Sequence, residues 1–353
     1  MPIRVLVVDD SAFMRRLITD FLQSDPAIRV AGHAADGREA LEVIPHLQPD
    51  VITLDVVMPE MDGIETLRRI MSSRPRPVVM LSSHTMEGAA PTIRALELGA
   101  VDFVAKPAEG GAQAMAAMRT ELIEKVTAAA RVRAPGLRPL AAPSGAVLRS
   151  DHSSGNNPTG REEQVVVIGA STGGPKALTH IFGALPPGFR PAMLVVQHMP
   201  LGFPELLAGR LSSIGTMRVR VAAEGERVSP GEALLAPGGS HMRVSAEGSV
   251  LLTNEPPVQG VRPAADITMQ SAAQVFGDRV VGVVLTGMGR DGTAGLQAIR
   301  ARGGYTLAEA EESCVVFGMP KSAIEAGCVD CVVPLEGIVP AILQLDRRLH
   351  RSA

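Results

Sequence analysis

Four short apolar runs in the first third of the chain each end on a polar group. Ile3-Arg4-Val5-Leu6-Val7-Val8 runs into Asp9 and Asp10, and Val51-Ile52-Thr53-Leu54 into Asp55. Val78-Val79-Met80-Leu81 is followed by Ser82, and Val101-Asp102-Phe103-Val104-Ala105 by Lys106. Near-continuous apolar runs of this length read as strands covered on both faces. Open parallel α/β sheets bind ligands at the carboxyl ends of their strands. The pattern therefore constrains the fold and the place of its chemistry together.

Helical periodicity fills the gaps. Phe13, Met14, Leu17, Ile18, Phe21 and Leu22 share one stripe, with Ser11 as the N-cap. Residues 29–34 form a weaker strand, and residues 38–47 a helix broken by Pro45. Helices are also predicted over 64–71 and 91–98. This alternation predicts an α/β fold with a doubly wound parallel sheet. A helix over 115–133 leads out of it. From 134 to 160 the composition turns to Pro135, Pro139, Pro143, Pro158, glycine, serine and asparagine, as in a flexible linker. After residue 164 the α/β pattern resumes, with strands at 165–168, 193–196 and 280–285 and helices at 177–185, 268–276 and 292–302. The chain thus divides into a unit over 1–122, a helical extension and linker over 123–163, and a second Rossmann-like unit over 164–350.

At 353 residues, each unit is large enough for its own core. A hydrophobic content of 46% and a charged content of 20% argue against wholesale disorder. The net charge of -3 gives no footprint for nucleic acid or a membrane surface. No apolar run approaches the roughly 18 residues that span a bilayer. A cytoplasmic protein, neither membrane-inserted nor bound to nucleic acid, is expected. Cys314, Cys328 and Cys331 are too few for a disulfide framework. The pair Cys328-Val-Asp-Cys331 reads as small buried thiols rather than a zinc or redox site.

Asp9, Asp10 and Asp55 would meet at one sheet edge. Two such carboxylates repel by about 4 kcal/mol per close pair at an effective dielectric near 20. A hard cation such as Mg²⁺ relieves that repulsion. One carboxylate can then attack a phosphoryl group, with Lys106 and Ser82 as partners for the phosphate. Val7-Val8-Asp9-Asp10-Ser11, Leu54-Asp55-Val56-Val57-Met58-Pro59, Leu81-Ser82 and Lys106-Pro107 together resemble the receiver domain of two-component response regulators. The resemblance implies a flavodoxin-like fold and phosphorylation of Asp55 by a histidine kinase. It also implies Mg²⁺ held by Asp10, Asp55 and the backbone carbonyl of Val57, with Asp9 nearby. Ser82 and Lys106 would sense the phosphate.

The second unit opens on Val165-Val166-Val167-Ile168-Gly169-Ala170-Ser171-Thr172-Gly173-Gly174-Pro175. Gly169-Ala-Ser171-Thr-Gly173 fits G-x-S-x-G, a strand-to-helix turn that exposes a serine hydroxyl. By itself this turn fits a hydrolase, a ligand cradle or a plain connection. A nucleophilic serine needs a base and an orienting acid. His198 and Asp291 each follow an apolar strand, so parallel strands would bring both to the edge that carries Ser171. His241, in a glycine-rich turn, is a rival base.

Five segments decide between these alternatives. Residues 168–175, Gln197-His-Met-Pro200, Ala236-Pro-Gly238, residues 285–292 and residues 311–320 resemble the effector domain of the chemotaxis protein-glutamate methylesterases, the CheB family. Together with the receiver, the likeness covers nearly the whole chain. It implies a serine hydrolase that removes methyl esters from glutamates of chemoreceptor cytoplasmic domains, releasing methanol, and that deamidates glutamines there. In that comparison Ser171 is the nucleophile, His198 the base and Asp291 its orienter, with the backbone N–H groups of Thr172 and Met288 as oxyanion donors. No metal is expected in that step; Mg²⁺ belongs to receiver phosphorylation. A receiver tethered to a hydrolase further predicts that the unphosphorylated receiver covers the Ser171 edge.

Overall fold

The computed structural model describes residues 1–83, 86–107, 111–132 and 164–351. The predicted linker over 134–160 lies outside them. The first unit runs β1 (Ile3–Val8), α1 (Ala12–Gln23), β2 (Ile28–Ala34), α2 (Gly37–Leu47), β3 (Val51–Asp55) and α3 (Gly63–Ser73). It continues with β4 (Val78–Ser83), α4 (Met86–Glu97), β5 (Asp102–Lys106) and α5 (Ala112–Ala129). The strands are parallel in the order β2-β1-β3-β4-β5. That is the flavodoxin-like order, whose reversal point lies between β1 and β3. Val5 to Val8 and Val78 to Leu81 are fully buried, as a sheet covered on both faces requires.

Two local expectations are corrected. Pro45 does not break its helix: α2 runs through it to Leu47. The proline removes only the bond its own N–H would have made to the preceding turn, the Gln48 N–H still donates to Ile44 O at 2.9 Å, and Gln48 closes the helix in the left-handed region. The helix predicted over 115–133 does not lead away from the sheet. It is α5, which packs along β5 and α1 and buries Met118, Leu122, Val126 and Ala129.

The second unit begins β6 (Val165–Ala170), α6 (Gly174–Ala184), β7 (Ala192–Gln197), α7 (Phe203–Ile214), β8 (Arg218–Val221) and β9 (Glu232–Leu235). A hairpin, β10 (His241–Val244) and β11 (Val250–Thr253), comes next. The chain ends with α8 (Ala265–Phe276), β12 (Val280–Val284), α9 (Thr293–Ala301), β13 (Tyr305–Glu309), α10 (Met319–Glu325), β14 (Cys331–Val333) and α11 (Leu335–Arg351). Seven strands form one parallel sheet in the order β14-β13-β12-β6-β7-β9-β8. Chain order reverses about β6, so β12 and β7 flank it. The hairpin is not legible in the sequence, because its strands are too short to show a period.

The two units share an interface. Helix α4 packs against α6 and α7. Phe103 of β5 stacks on Phe203 of α7, ring centroids 4.4 Å apart, and both belong to one buried cluster spanning the units. Glu97 and Arg210 form an ion pair beside them. No described helix is long and apolar enough to cross a membrane. The cysteines are free, Cys328 buried and Cys331 only half-buried.

Candidate functional site

Each sheet gathers polar side chains at its reversal point. In the first, Asp9 and Asp10 leave β1, Asp55 ends β3 and Lys106 ends β5. Lys106 Nζ lies 2.8 Å from Asp9 Oδ2 and 2.8 Å from Asp55 Oδ2. One carboxylate oxygen from each of Asp9, Asp10 and Asp55 lies within 4.8 Å of the others. Burial pushes the Asp55 carboxyl above the usual carboxylate range; Lys106 pulls it back, and Asp9 and Asp10 push it further up. Asp9 Oδ2 is buried and, although close to Lys106, accepts no aligned hydrogen bond. A buried acceptor with unmet capacity, beside two further carboxylates, fits a hard divalent cation. Val57 lies in the loop just after β3 and is exposed. Ser82 is buried at the end of β4, and Thr92 of α4 donates to its hydroxyl at 2.7 Å. The pocket is thereby tied to the helix that packs on the second unit.

In the second sheet, Ser171 follows β6 and His198 follows β7, with Ala170 opposite Gln197 in the register. Asp291 lies in the loop between β12 and α9. His198 Nε2 stands 2.7 Å from Asp291 Oδ2. The carboxylate makes Nε2 the protonated nitrogen and leaves Nδ1 as the basic one. Asp291 also accepts the N–H groups of Ala265 at 2.6 Å and Asp266 at 2.9 Å. Burial raises the Asp291 carboxyl, but the bond and charge of His198 and these two N–H groups outweigh it, holding the group below its ordinary range. Among the described residues, Ser171 Oγ makes no hydrogen bond to His198. Without substrate, such bonds are commonly long.

The loops carrying the two candidate oxyanion donors are laced together. Ser171 N–H donates to Thr286 O, and Thr286 Oγ1 donates to Thr172 O at 2.9 Å. The Thr286 N–H in turn donates to the buried carboxylate of Glu309 at 2.8 Å. Gly287 is the position where the loops touch: a Cβ there would sit 2.7 Å from Ser171 Cβ. The backbone around Thr172 and the loop leading to Met288 are thus held together beside the serine.

His241, the rival base, is placed elsewhere. It opens β10 rather than occupying a turn, and it is fully buried. Its Nδ1 accepts the Ala264 N–H at 3.1 Å, so Nε2 donates to Pro256 O at 3.2 Å. Both ring nitrogens are committed to backbone.

Two further carboxylates stand at the site that the motifs do not point to. Asp102 Oδ2 accepts a hydrogen bond from Thr172 Oγ1, beside the nucleophile candidate. Asp102 also pairs with Lys125, whose charge burial opposes but Asp102 and Glu121 favour strongly enough to raise it. Asp266 stands behind Asp291. In both cases the signal is a lone carboxylate inside an apolar segment, Val101-Asp102-Phe103 and Ala265-Asp266-Ile267.

The CheB methylesterase family matches residues 166–342, and the response regulator receiver domain matches residues 5–118. The chain is 50% identical, over 97% of its own length and 96% of the relative's, to a protein-glutamate methylesterase/protein-glutamine glutaminase of Symbiobacterium thermophilum. It is 47% identical, over 97% of its length and 93% of the relative's, to the protein of the same name from Pyrococcus abyssi. The chain belongs to the CheB methylesterase family. The solved catalytic domain of the Thermotoga maritima CheB methylesterase aligns over all of its own length and 52% of this chain, with 42% identity and a TM-score of 0.51. As a receiver-bearing CheB methylesterase, the chain combines two sites on two parallel sheets. The receiver class uses Mg²⁺ for phosphorylation, and Asp9, Asp10 and Asp55 offer oxygen donors of the right kind.

Proposed function

We propose that this protein is a phosphorylation-activated serine hydrolase that removes methyl esters from receptor glutamates and deamidates receptor glutamines in chemotactic adaptation. Three parts are assigned: a receiver that includes all of α5 rather than stopping at 122, a linker after it, and the hydrolase over 164–350. The separate family matches support that division. The observation that carries the proposal is the His198–Asp291 pair, formed by the loops after β7 and β12, the two strands that flank β6 and Ser171.

Ser171 Oγ attacks the ester carbonyl while His198 Nδ1 takes its proton. The Asp291 carboxylate holds the ring and stabilises the imidazolium. The tetrahedral oxyanion faces the Thr172 and Met288 N–H groups. His198 returns the proton to the leaving oxygen, and methanol departs. Water, activated by the same nitrogen, then splits the acyl-enzyme to free glutamate and Ser171. A glutamine amide follows the same course, with ammonia as the leaving group.

Asp55 is the phosphate acceptor for a chemotaxis histidine kinase. Asp10, Asp55 and the Val57 carbonyl would hold Mg²⁺, with Asp9 beside them, and the ion would offset the charge of the phosphoryl oxygens. Lys106 and Ser82 contact the phosphate. The receiver suppresses the hydrolase by covering its edge through Asp102, Phe103 and Glu97, and phosphorylation at Asp55 weakens that contact. The enzyme works in the cytoplasm on methylated chemoreceptor cytoplasmic domains.

The test is methanol release from a carboxyl-methylated chemoreceptor fragment, with and without a phosphodonor and Mg²⁺, with Ser171→Ala as control. Release that rises with phosphodonor and vanishes in Ser171→Ala is expected. Equal release from Ser171→Ala would sink the serine mechanism.

A further inference from the structure

Helices α8 and α9 both start without a side-chain cap of their own. Ala264 precedes α8 and Gly292 precedes α9, and neither supplies an acceptor. A helix start leaves orphan N–H groups that must find partners. Here the partners are exchanged between the two helices. Asp291, on the loop leading into α9, accepts the Ala265 and Asp266 N–H groups of α8. Asp266 of α8 accepts the Gly295 N–H of α9 at 2.8 Å. Its other oxygen accepts from Gln259 Nε2 at 3.0 Å. The helices touch closely at this point, where a Cβ on Gly295 would sit 2.5 Å from Met269 Cβ.

We propose that Asp266 is a positioning residue for the hydrolysis, fixing the Asp291 carboxylate against His198 by this reciprocal capping. The proposal rests on the assignment of Ser171, His198 and Asp291 made above. Asp291 has two kinds of partner: an imidazole that must move protons, and backbone N–H groups that must not move. Those N–H groups are fixed only as well as the start of α8 is fixed relative to α9. Asp266 joins the two starts from one side. From the other, His241 Nδ1 accepts the Ala264 N–H. Two carboxylates are therefore kept close at a buried place, which costs stability. Burial, then the Asp291 charge, push the Asp266 carboxyl up to about 6, against the pull of the Gly295, Gly292 and Ala294 N–H groups.

The titratable groups facing Asp266 are Asp291 from the α9 side, Cys328 from the loop after α10, and His241 through the start of α8. Only Asp291 touches the base.

The test uses the full-length phosphorylated enzyme and a carboxyl-methylated receptor fragment. It measures kcat and KM across pH for wild type, Asp266→Ala, Asp266→Asn and Ser171→Ala. Asp266→Ala removes the cap and is expected to lower kcat roughly 10- to 100-fold with KM within about twofold, since a misplaced catalytic group costs rate rather than binding. Asp266→Asn keeps an acceptor for Gly295 and removes the charge. It is expected to keep kcat within roughly threefold, because the cap on α9 survives. If Asp266→Ala does not fold, Asp266→Ser takes its place and is read by the same kcat and KM. A kcat for Asp266→Ala or its stand-in within about twofold of wild type, or an Asp266→Asn that recovers none of the lost rate, overturns the positioning role. Activity that survives in Ser171→Ala would instead overturn the serine assignment and leave the capping geometry as an unrelated structural feature.

Discussion

Asp55 and Asp291 are the same residue type at the carboxyl edge of a parallel sheet, Asp55 ending β3 and Asp291 in the loop after β12, yet their protons are held in opposite ways. Burial raises both. At Asp55 burial is the largest influence; Lys106 offsets the two neighbouring carboxylates but not burial as well, so the carboxyl ends above its ordinary range. At Asp291 the neighbours are an imidazole and two backbone N–H groups, so it ends below. The receiver pocket thus sets three carboxylates against one lysine, which suits the cation and phosphoryl group proposed for it. The hydrolase site is complete by charge and awaits only an uncharged ester. One sheet edge is built to be altered by what binds it, the other to remain unaltered while it reacts.

The largest effect that would break this contrast is at the complete site. Asp291→Ala should lower methanol release roughly 10³- to 10⁴-fold, through loss of the oriented imidazole. Uptake of phosphate from a phosphodonor, read on the same protein, should be unchanged. A loss in both would mean the two sites are not separate. Next comes the receiver pocket. Asp55→Asn, or wild type with excess chelator, should lose all phosphodonor-dependent increase while keeping unstimulated release. If the increase survives in Asp55→Asn, another group carries the phosphate.

A smaller effect tests the contact between the regions. Asp102→Ala removes the acceptor for Thr172 Oγ1 and the partner of Lys125. A hydrogen bond to a charged group contributes about 1.5–3 kcal/mol, so unstimulated release should rise roughly tenfold or more. No rise would mean that the docked receiver does not hold the hydrolase down through this contact. The smallest effect concerns pH and stability. A carboxyl raised on folding costs stability above its folded pKa and nothing below its unfolded one. A lowered carboxyl adds stability above its unfolded pKa and loses it as pH falls through the folded one. Asp55→Asn should therefore raise the melting temperature at neutral pH, an advantage that fades as pH falls into the carboxylate range. Asp291→Asn should lower it at neutral pH, with that deficit fading in acid. Melting curves of both variants between neutral and acidic pH give the two slopes, and slopes of the same sign would refute the contrast.

The strand-end carboxylates, Lys106, Ser171 and His198 were all legible because period and position in a parallel sheet are local properties of the sequence. The βα alternation needs only the run lengths, and a residue just beyond an apolar run must lie at the sheet edge. His241 shows where that logic stops. Its glycine-rich neighbours made it look available, whereas backbone groups far along the chain, from Pro256 and Ala264, occupy both its nitrogens. Pro45 shows a second limit: a proline removes only its own N–H bond, and the helix continues where the bonds beyond it form, as Gln48 N–H to Ile44 O does here.

What the sequence determined by itself is the pair of doubly wound sheets and the side chains each one presents at its edge. The tertiary structure alone decided the rest: that Asp102 meets Thr172 across the two units, that Phe103 stacks on Phe203, and that Asp266 and Asp291 cap each other's helices. Those contacts join residues far apart in the chain, each with ordinary local surroundings. Their partners are fixed only when loops close and elements pack, and no period of the sequence records which loops those will be.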